Sequence, residues 1–313
     1  MHKVIVGRFP PPLGGVSVFV KRKYELLQGE GAKCIDFNDK FWLFKLLTFS
    51  VDRGNIYLLN TGSLVILLIF MFLGLLPRTV FYDHNASRKF WLSLFYSRLF
   101  LYIIRRAREL KVVHAHLISG YRIRGYVGQI SIESPFIPPS EVHRESILMS
   151  YPESVLNFMS DKSCIKIVSS AWRYNLDSEG VDIYGISVLL KLLYDLKDRG
   201  ESVRCLLAFG VFNYEDMPDD MLNQIEALKI EGVLVLLTGQ KELWPIFSCA
   251  DIFLRLTSTD GESVTVLESL YYGCSVLASN VVPRPQGVVT YQYGNYNDLF
   301  RNFCIHSGLT NSL

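Results

Sequence analysis

Residues Arg255–Pro285 read RLTSTDGESVTVLESLYYGCSVLASNVVPRP. A strand ends at Arg255, and the polar stretch Thr257–Gly261 turns the chain. A helix is expected from about Ser263 to Tyr272, stopped by Gly273, a residue suited to the left-handed position past a helix end. A further strand, Ser275–Ala278, follows. Strand, polar turn, helix, glycine, strand is the repeating unit of a parallel sheet. Two carboxylates stand out. Asp260 precedes the helix and Glu268 lies on it, two turns on, roughly 12 Å away at 1.5 Å per residue and near the same face. Between them the helix N-terminus offers free backbone N–H groups and the positive end of its dipole, a place suited to an anion. Gly261 lets the backbone approach closely.

The same rhythm runs through the rest of the 313 residues. In the first half, strands are expected at Val4–Gly7, Lys33–Phe37, Ile56–Asn60, Thr79–Asp83 and Val112–Ala115. Helices are expected at Val16–Gln28, Phe41–Phe49, Leu64–Leu76 and Lys89–Leu110. The pattern restarts after the proline-rich ESPFIPPSE (Glu133–Glu141), first with a helix at Pro152–Met159. Strands then fall at Ile165–Ser169, Val203–Phe209, Val233–Leu237 and Ile252–Arg255, and a helix at Gly185–Arg199. The fold class is therefore α/β, with two doubly wound domains, 1–150 and 151–313, facing a cleft. Ligands of such sheets bind outside the carboxyl ends of the strands.

Composition narrows the partners. The chain is 50% hydrophobic and 20% charged, a globular balance. The longest apolar run, LVILLIFMFLGLL at Leu64–Leu76, is shorter than the roughly 20 residues of a spanning helix and reads as a buried helix. The N-terminal MHKVIVGRFPPP lacks the features of a signal peptide. Six cysteines without a CxxC pair suggest neither zinc nor disulfides and suit a reducing cytosol. The net charge of +2 conceals 20 Lys and Arg against 10 Asp and Glu in residues 1–150, and 12 against 20 in residues 151–313. A basic half suits either an acidic partner domain or anionic lipid headgroups. A nicotinamide oxidoreductase is disfavoured, because no GxGxxG follows the first strand. No nucleic-acid partner is expected.

The Asp260-to-Pro285 segment resembles the donor-binding motif of the retaining GT-B glycosyltransferases of the "group 1", family 4-like, kind. Their hallmark is two acids with seven residues between them, then a run like EAL..G.PVIAS. Here Asp260 is followed by GESVTVL, Glu268 and SLYYGCSVLAS. The first acid is Asp where the family usually has Glu. The resemblance implies a GT-B fold of two Rossmann-like domains, the first on the acceptor side and the second binding a nucleotide-sugar. Asp260 would contact the donor sugar and Glu268 the ribose hydroxyls, a span that fits the separation of the two acids. Gly261, Glu262, Ser263 and Val264 would meet the diphosphate at the helix end, although Glu262 also reads as an exposed or capping residue.

Elsewhere the resemblance is looser. Gly14-Gly15 after PPPL matches the family's glycine loop, which places Gly15 near phosphate or acceptor. His84, after TVFYD, matches a histidine facing acceptor and donor phosphate. Arg173 in SSAWRYN matches the arginine that grips the diphosphate. The family's lysine six positions later is Glu179 here, and Arg255 is the candidate substitute. His114 and His116 read as structural. With no Asp-x-Asp triplet, a metal-dependent GT-A enzyme is disfavoured, and the resemblance implies no metal and no cofactor beyond a UDP- or GDP-linked sugar. Family members are usually longer; the ending DLFRNFCIHSGLTNSL has room for one short helix.

The basic, aromatic stretch RKFWLSLFYSRLFLYIIRRAR (Arg88–Arg108) suits a membrane interface as well as a core. Together these readings give a metal-independent hexosyltransferase, cytoplasmic or at the inner face of the plasma membrane as a peripheral protein. It would act with retention on a lipid-linked or oligosaccharide acceptor in bacterial O-antigen (lipopolysaccharide), capsule or exopolysaccharide synthesis. The alternatives are a non-catalytic GT-B-like partner protein and a sugar-nucleotide epimerase.

Overall fold

A computed structural model describes residues 2–84, 94–260 and 263–309. The chain divides into two compact units, Met1–Ile137 and Pro138–Leu313. The division expected near residue 150 falls inside the second unit. The reason is packing: Ile147, Leu148 and Tyr151 join a hydrophobic cluster with Val168, Phe247 and Phe253.

The first unit runs β1 (His2–Gly7), α1 (Gly15–Leu27), β2 (Lys33–Asp36), α2 (Trp42–Ser50), β3 (Asn55–Leu59), α3 (Leu64–Phe72), β4 (Thr79–Asp83), α4 (Leu94–Ile104), β5 (Glu109–Val112), α5 (Ala115–Ile123) and β6 (Ile130–Ile132). All strand pairs are parallel, in the order β2-β1-β3-β4-β5-β6. Parallel strands covered on both faces need apolar residues on both, and Val4, Ile5 and Val6 are fully buried. Phe19, Val20 and Leu27 of α1 cover Ile5, Leu58, Val80 and Tyr82 on one face. Helices α2–α5 cover the other through Leu46, Leu67, Phe70, Phe100 and Tyr121.

Three expectations for this unit need correction. The helix expected to reach Leu110 ends at Ile104, because Arg108 N–H bonds to Leu76 and Thr79 carbonyls and the next residues enter the sheet. The strand expected at Val112–Ala115 is therefore Glu109–Val112, paired Val80 to Glu109 through Asp83 to Val112. Its alternate residues Glu109 and Lys111 are polar, which hid it from an apolar scan. The run Leu64–Leu76 is helical only to Phe72, and Val65 and Phe72 are exposed, so α3 buries one stripe rather than its whole surface. Residues 85–93, which include the expected start of that helix at Lys89, lie outside the described residues. No helix among the described residues is long and apolar enough to cross a membrane.

The second unit runs α6 (Arg144–Leu148), α7 (Glu153–Ser160), β7 (Ile165–Ala171), α8 (Ile186–Asp198), β8 (Val203–Phe209), α9 (Asp219–Ile230), β9 (Leu234–Thr238), α10 (Trp244–Phe247), β10 (Ile252–Arg255), α11 (Val264–Tyr271), β11 (Ser275–Ser279), β12 (Val288–Tyr291) and α12 (Tyr296–Ser307). Its sheet is again parallel, ordered β12-β11-β10-β7-β8-β9. Helices α8, α9 and α12 bury one face, while α7, α10 and α11 bury the other. The strand order reverses between β7 and β10 here, and at β1 between β2 and β3 in the first unit. Those are the places where adjacent loops leave in opposite directions and open a crevice.

Candidate functional site

In the second unit the reversal point brings together the loops after β7 and β10. Arg255, the last residue of β10, turns its guanidinium onto Asp260, with Nε to Oδ2 at 3.0 Å and Nη2 to Oδ1 at 2.8 Å. Arg284 adds Nη1 to Oδ2 at 2.7 Å. Arg284 also donates to the carbonyl of Ser279 (3.0 Å) and to its Oγ (3.3 Å), and Ser279 Oγ donates to the Thr257 carbonyl (2.7 Å). Asp260 thus knits the ends of β10 and β11 to the loop between β10 and α11. Burial pushes its pKa up, but the hydrogen bonds and charges of Arg255 and Arg284 outweigh burial and hold the carboxyl below its ordinary value. Arg255, read from sequence as a phosphate-binding substitute, is committed to this pair.

α11 then starts without a side-chain cap. Ser263 Oγ bonds to Thr265 Oγ1 (2.8 Å) rather than to the helix backbone. The first N–H groups, Val264 among them, have no side-chain acceptor among the described residues. Gly261 and Glu262 lie outside the described residues. At the far end, Gly273 takes φ +79, and the N–H groups of Gly273 and Cys274 close onto Leu270 and Ser269 carbonyls. The sequence reading of the helix stop holds there, for the expected reason. Glu268 is buried on α11, near enough to Tyr151 that its charge helps raise the tyrosine pKa, after burial, Glu242 and Cys249.

Sequence reading missed two hydroxyls. Thr257 Oγ1 and Ser258 Oγ are buried and have no hydrogen-bond partner among the described residues. Buried polar atoms are normally satisfied, so these are groups the fold leaves unspent. The signal was present in the polar turn of the opening motif.

Arg173 stands exposed just past β7 and makes no hydrogen bond or ion pair among the described residues. Its neighbour Trp172 lies flat against Gly210, where a Cβ would come within 2.5 Å of the ring. The chain then makes a short excursion in which Asp177 Oδ1 accepts from Glu179 and Val181 N–H, and Glu179 is exposed. It returns at Gly185, with φ +67 and the Leu256 carbonyl 2.4 Å from where a Cβ would sit. Only glycine fits a positive φ at that approach. The contact locks the excursion to the β10 loop, helped by Ser258 N–H to the Ile183 carbonyl (2.9 Å).

In the first unit His84 follows β4. Its Nε2 lies 2.9 Å from Asn60 Oδ1 at the end of β3. The Asn60 amide nitrogen is turned to the Leu58 carbonyl (2.9 Å) and the Val6 carbonyl (3.4 Å), so its oxygen must accept. His84 is therefore the Nε2–H tautomer, and Nδ1 carries the lone pair. The ring packs edge-on to Phe19 and parallel to Tyr82. Burial pushes its pKa down to about 4, against a smaller opposing pull from Glu133. Glu133 accepts from Lys23 (2.6 Å) and Lys111. Beside His84, Asp83 is buried and accepts from Tyr121 OH at 2.6 Å.

Gly15 opens α1 and is exposed. The turn before it is held by Ser17 Oγ, which accepts from Gly14 N–H (2.9 Å) and donates to the Pro12 carbonyl (2.5 Å). His114 precedes α5 without capping it, and nothing is described of the His116 side chain. Among the described residues no group of three or more His, Cys, Asp and Glu could hold a metal ion.

No family model and no curated protein matches the sequence. Solved structures do match over nearly the whole chain. HepE of Anabaena, in complex with UDP-glucose, is 14% identical, with a TM-score of 0.61 over 99% of this chain and 91% of its own. The α,α-trehalose-phosphate synthase of Burkholderia xenovorans, in complex with glucose-6-phosphate, is 12% identical, with a TM-score of 0.63 over 98% and 92%. WaaG, a glycosyltransferase involved in lipopolysaccharide biosynthesis, is 12% identical, with a TM-score of 0.59 over 100% and 92%. At such identities the likeness is one of fold. The chain therefore has the GT-B fold, built from two Rossmann-like units with parallel six-stranded sheets.

Proposed function

We propose that the protein transfers a hexose from a nucleotide-sugar, UDP- or GDP-linked, to a glycan acceptor. The observation that carries this reading is the segment from Arg255 to Gly273. An uncapped helix N-terminus follows the strand at the sheet's reversal point, flanked by Asp260 before it and the buried Glu268 upon it. The helix end suits a diphosphate, and a carboxylate suits paired ribose hydroxyls. Solved proteins of the same fold hold UDP-glucose and glucose-6-phosphate, which supports a nucleotide-sugar donor and a sugar acceptor.

In this reading Glu268 holds the ribose, and the N–H groups from Ser263 and Val264, with Arg173, hold the diphosphate. The committed carboxylate of Asp260 shapes the sugar pocket through Arg255 and Arg284 more than by direct contact. Thr257 and Ser258 offer the unspent hydroxyls there. In the first unit, neutral His84 would offer Nδ1 as an acceptor for a sugar hydroxyl, and Gly15 would let phosphate or acceptor approach the start of α1. Catalysis is then positioning plus stabilisation of the departing diphosphate, without a metal and with retention. A lipid-linked acceptor at the inner face of the membrane, in surface polysaccharide assembly, fits the basic first unit.

A second reading is a non-catalytic partner protein. It draws on Glu179, an exposed acid where related motifs carry lysine, and on the double pairing of Asp260. Incubation with labelled UDP- and GDP-sugars and a lipid-linked acceptor extract separates the two. Transfer with an axial anomeric product from an axial donor supports the first reading, and absence of both transfer and donor hydrolysis supports the second.

A further inference from the structure

The loop after β12 and the first turn of α12 read QYGNYN, Gln292–Asn297. With Lys191 of α8 they line a recess of about 560 Å³, within the roughly 300–1,000 Å³ of small-ligand sites. The fold holds this loop through other atoms. Asp298 Oδ2 accepts from Gln292 N–H (2.7 Å), Asn280 Oδ1 from Tyr293 N–H (3.0 Å) and Asn295 Oδ1 from Asp298 N–H (3.1 Å). Tyr296 OH is spent on Asp195 (2.5 Å). Left over are the side-chain amides of Gln292 and Asn297 and the hydroxyl of Tyr293, which make no hydrogen bond among the described residues. The Tyr293 side chain is 37% exposed. The Lys191 ammonium lies 3.9 Å from the centre of the Tyr296 ring and has no carboxylate partner among the described residues.

We infer that this recess is a second carbohydrate site, which holds a glycan chain with one pyranose ring against Tyr293. An aromatic ring offers an apolar face to the C–H face of a sugar, and its hydroxyl a polar tip. Amides both donate and accept, as sugar hydroxyls do, and Gln292 and Asn297 place one on either side of Tyr293 in the sequence. Other ligand classes fit poorly. Among the described residues no carboxylate lines the recess to hold a cation, and no aliphatic side chain lines it to anchor a protein. One lysine gives a nucleic acid little charge to pair with. Because the strands are parallel, β12 ends on the same edge of the sheet as β10, two strand spacings or about 10 Å away. A glycan held there lies along the edge that carries the donor motif. The inference deepens the proposed reading, on which its choice of a glycan partly rests, yet it is measured without any transfer.

The test is electrophoresis of the full chain in native gels cast with dextran, mannan, galactan or polygalacturonate, where a protein that binds the polymer is retarded. The wild type is expected to be retarded by at least one of the four, equally with and without excess UDP. Tyr293→Ala should abolish the retardation, and Tyr293→Phe, which keeps the ring, should retain most of it. Asn297→Ala should weaken binding roughly twofold to tenfold, the scale of one hydrogen bond. Unfolding midpoints equal to that of the wild type show that these variants fold. No retardation by any polymer overturns the inference. So does retardation that survives Tyr293→Ala, or that UDP abolishes, since the sugar is then in the donor site. Nucleotide binding, followed by calorimetry in the same variants, reports on the proposed activity separately. A bound nucleotide without retardation removes this inference alone, and retardation without any bound nucleotide removes the proposed transfer alone.

Discussion

Arg284 and Asp260, 24 positions apart in sequence, meet across 2.7 Å, and Arg255 grips the same carboxylate from its other side. The aspartate side chain is 6% exposed and that of Arg284 3%. Breaking such a buried pair leaves a charge without compensation, which typically costs about 3–5 kcal/mol. Asp260→Asn is thus expected to destabilise the second unit by about that much, and Arg284→Met by less, because Arg255 still balances the carboxylate. Urea denaturation at neutral pH checks the order. An unchanged midpoint for Asp260→Asn would mean that the cluster is not structural.

The same cluster sets a pH dependence. The folded pKa of Asp260 is depressed, so its contribution is present above the ordinary carboxylate range and is lost as pH falls through the folded value. Wild type should therefore lose stability on acidification below about pH 4. Asp260→Asn should show a smaller loss over that interval, measured as unfolding midpoint against pH.

His84 titrates differently. Its folded pKa is lowered from 6.5 to about 4, so the unfolded chain binds the proton first. The contribution is complete above 6.5 and is lost as pH falls toward 4. Nitrogen NMR should find His84 neutral at pH 6, with the proton on Nε2. Asn60→Ala should release that tautomer preference. A His84 that is half protonated near 6.5 would contradict the environment described for it.

Gly185→Ala tests the lock between the two loops of the second unit. A Cβ there must displace the Leu256 carbonyl at 2.4 Å in a left-handed backbone. A loss above about 1 kcal/mol is expected, with weakened nucleotide binding because the β10 loop shifts. Gly180→Ala is the comparison. Its φ of +77 is likewise positive but nothing lies within 4 Å, so it should bear the backbone strain alone.

Glu179→Lys should strengthen diphosphate binding by roughly twofold to fivefold, the scale of an exposed charge pair. Titration calorimetry with UDP measures it. No change would place residue 179 away from the phosphates.

Much of this was legible in the residues. The strands at Ile252–Arg255 and Val203–Phe209 were readable because buried parallel strands are continuous apolar runs. The stop at Gly273 and the order of the Asp260 segment followed from local turn and helix chemistry. What was hidden was non-local or polar. β5 carries Glu109 and Lys111, and only their partners Ser131 and Glu133 reveal why they sit in a sheet. Arg255 was expected to reach for phosphate, but Arg284, five residues past Ser279, turns back to share Asp260 with it. No spacing rule announces that return. The orphan hydroxyls of Thr257 and Ser258 are a property of packing and appear only in three dimensions.

The central claim is that the second unit holds a nucleotide-sugar with Glu268 on its ribose. The direct measurement is titration calorimetry of the purified protein with UDP, GDP and their common sugars, repeated with Glu268→Gln. The account predicts saturable binding of one nucleotide by wild type, and about a tenfold or greater loss in the variant, as for a charge-assisted hydrogen bond of 1.5–3 kcal/mol. Folded wild-type protein that binds none of them, or a Glu268→Gln variant that binds equally well, would contradict it.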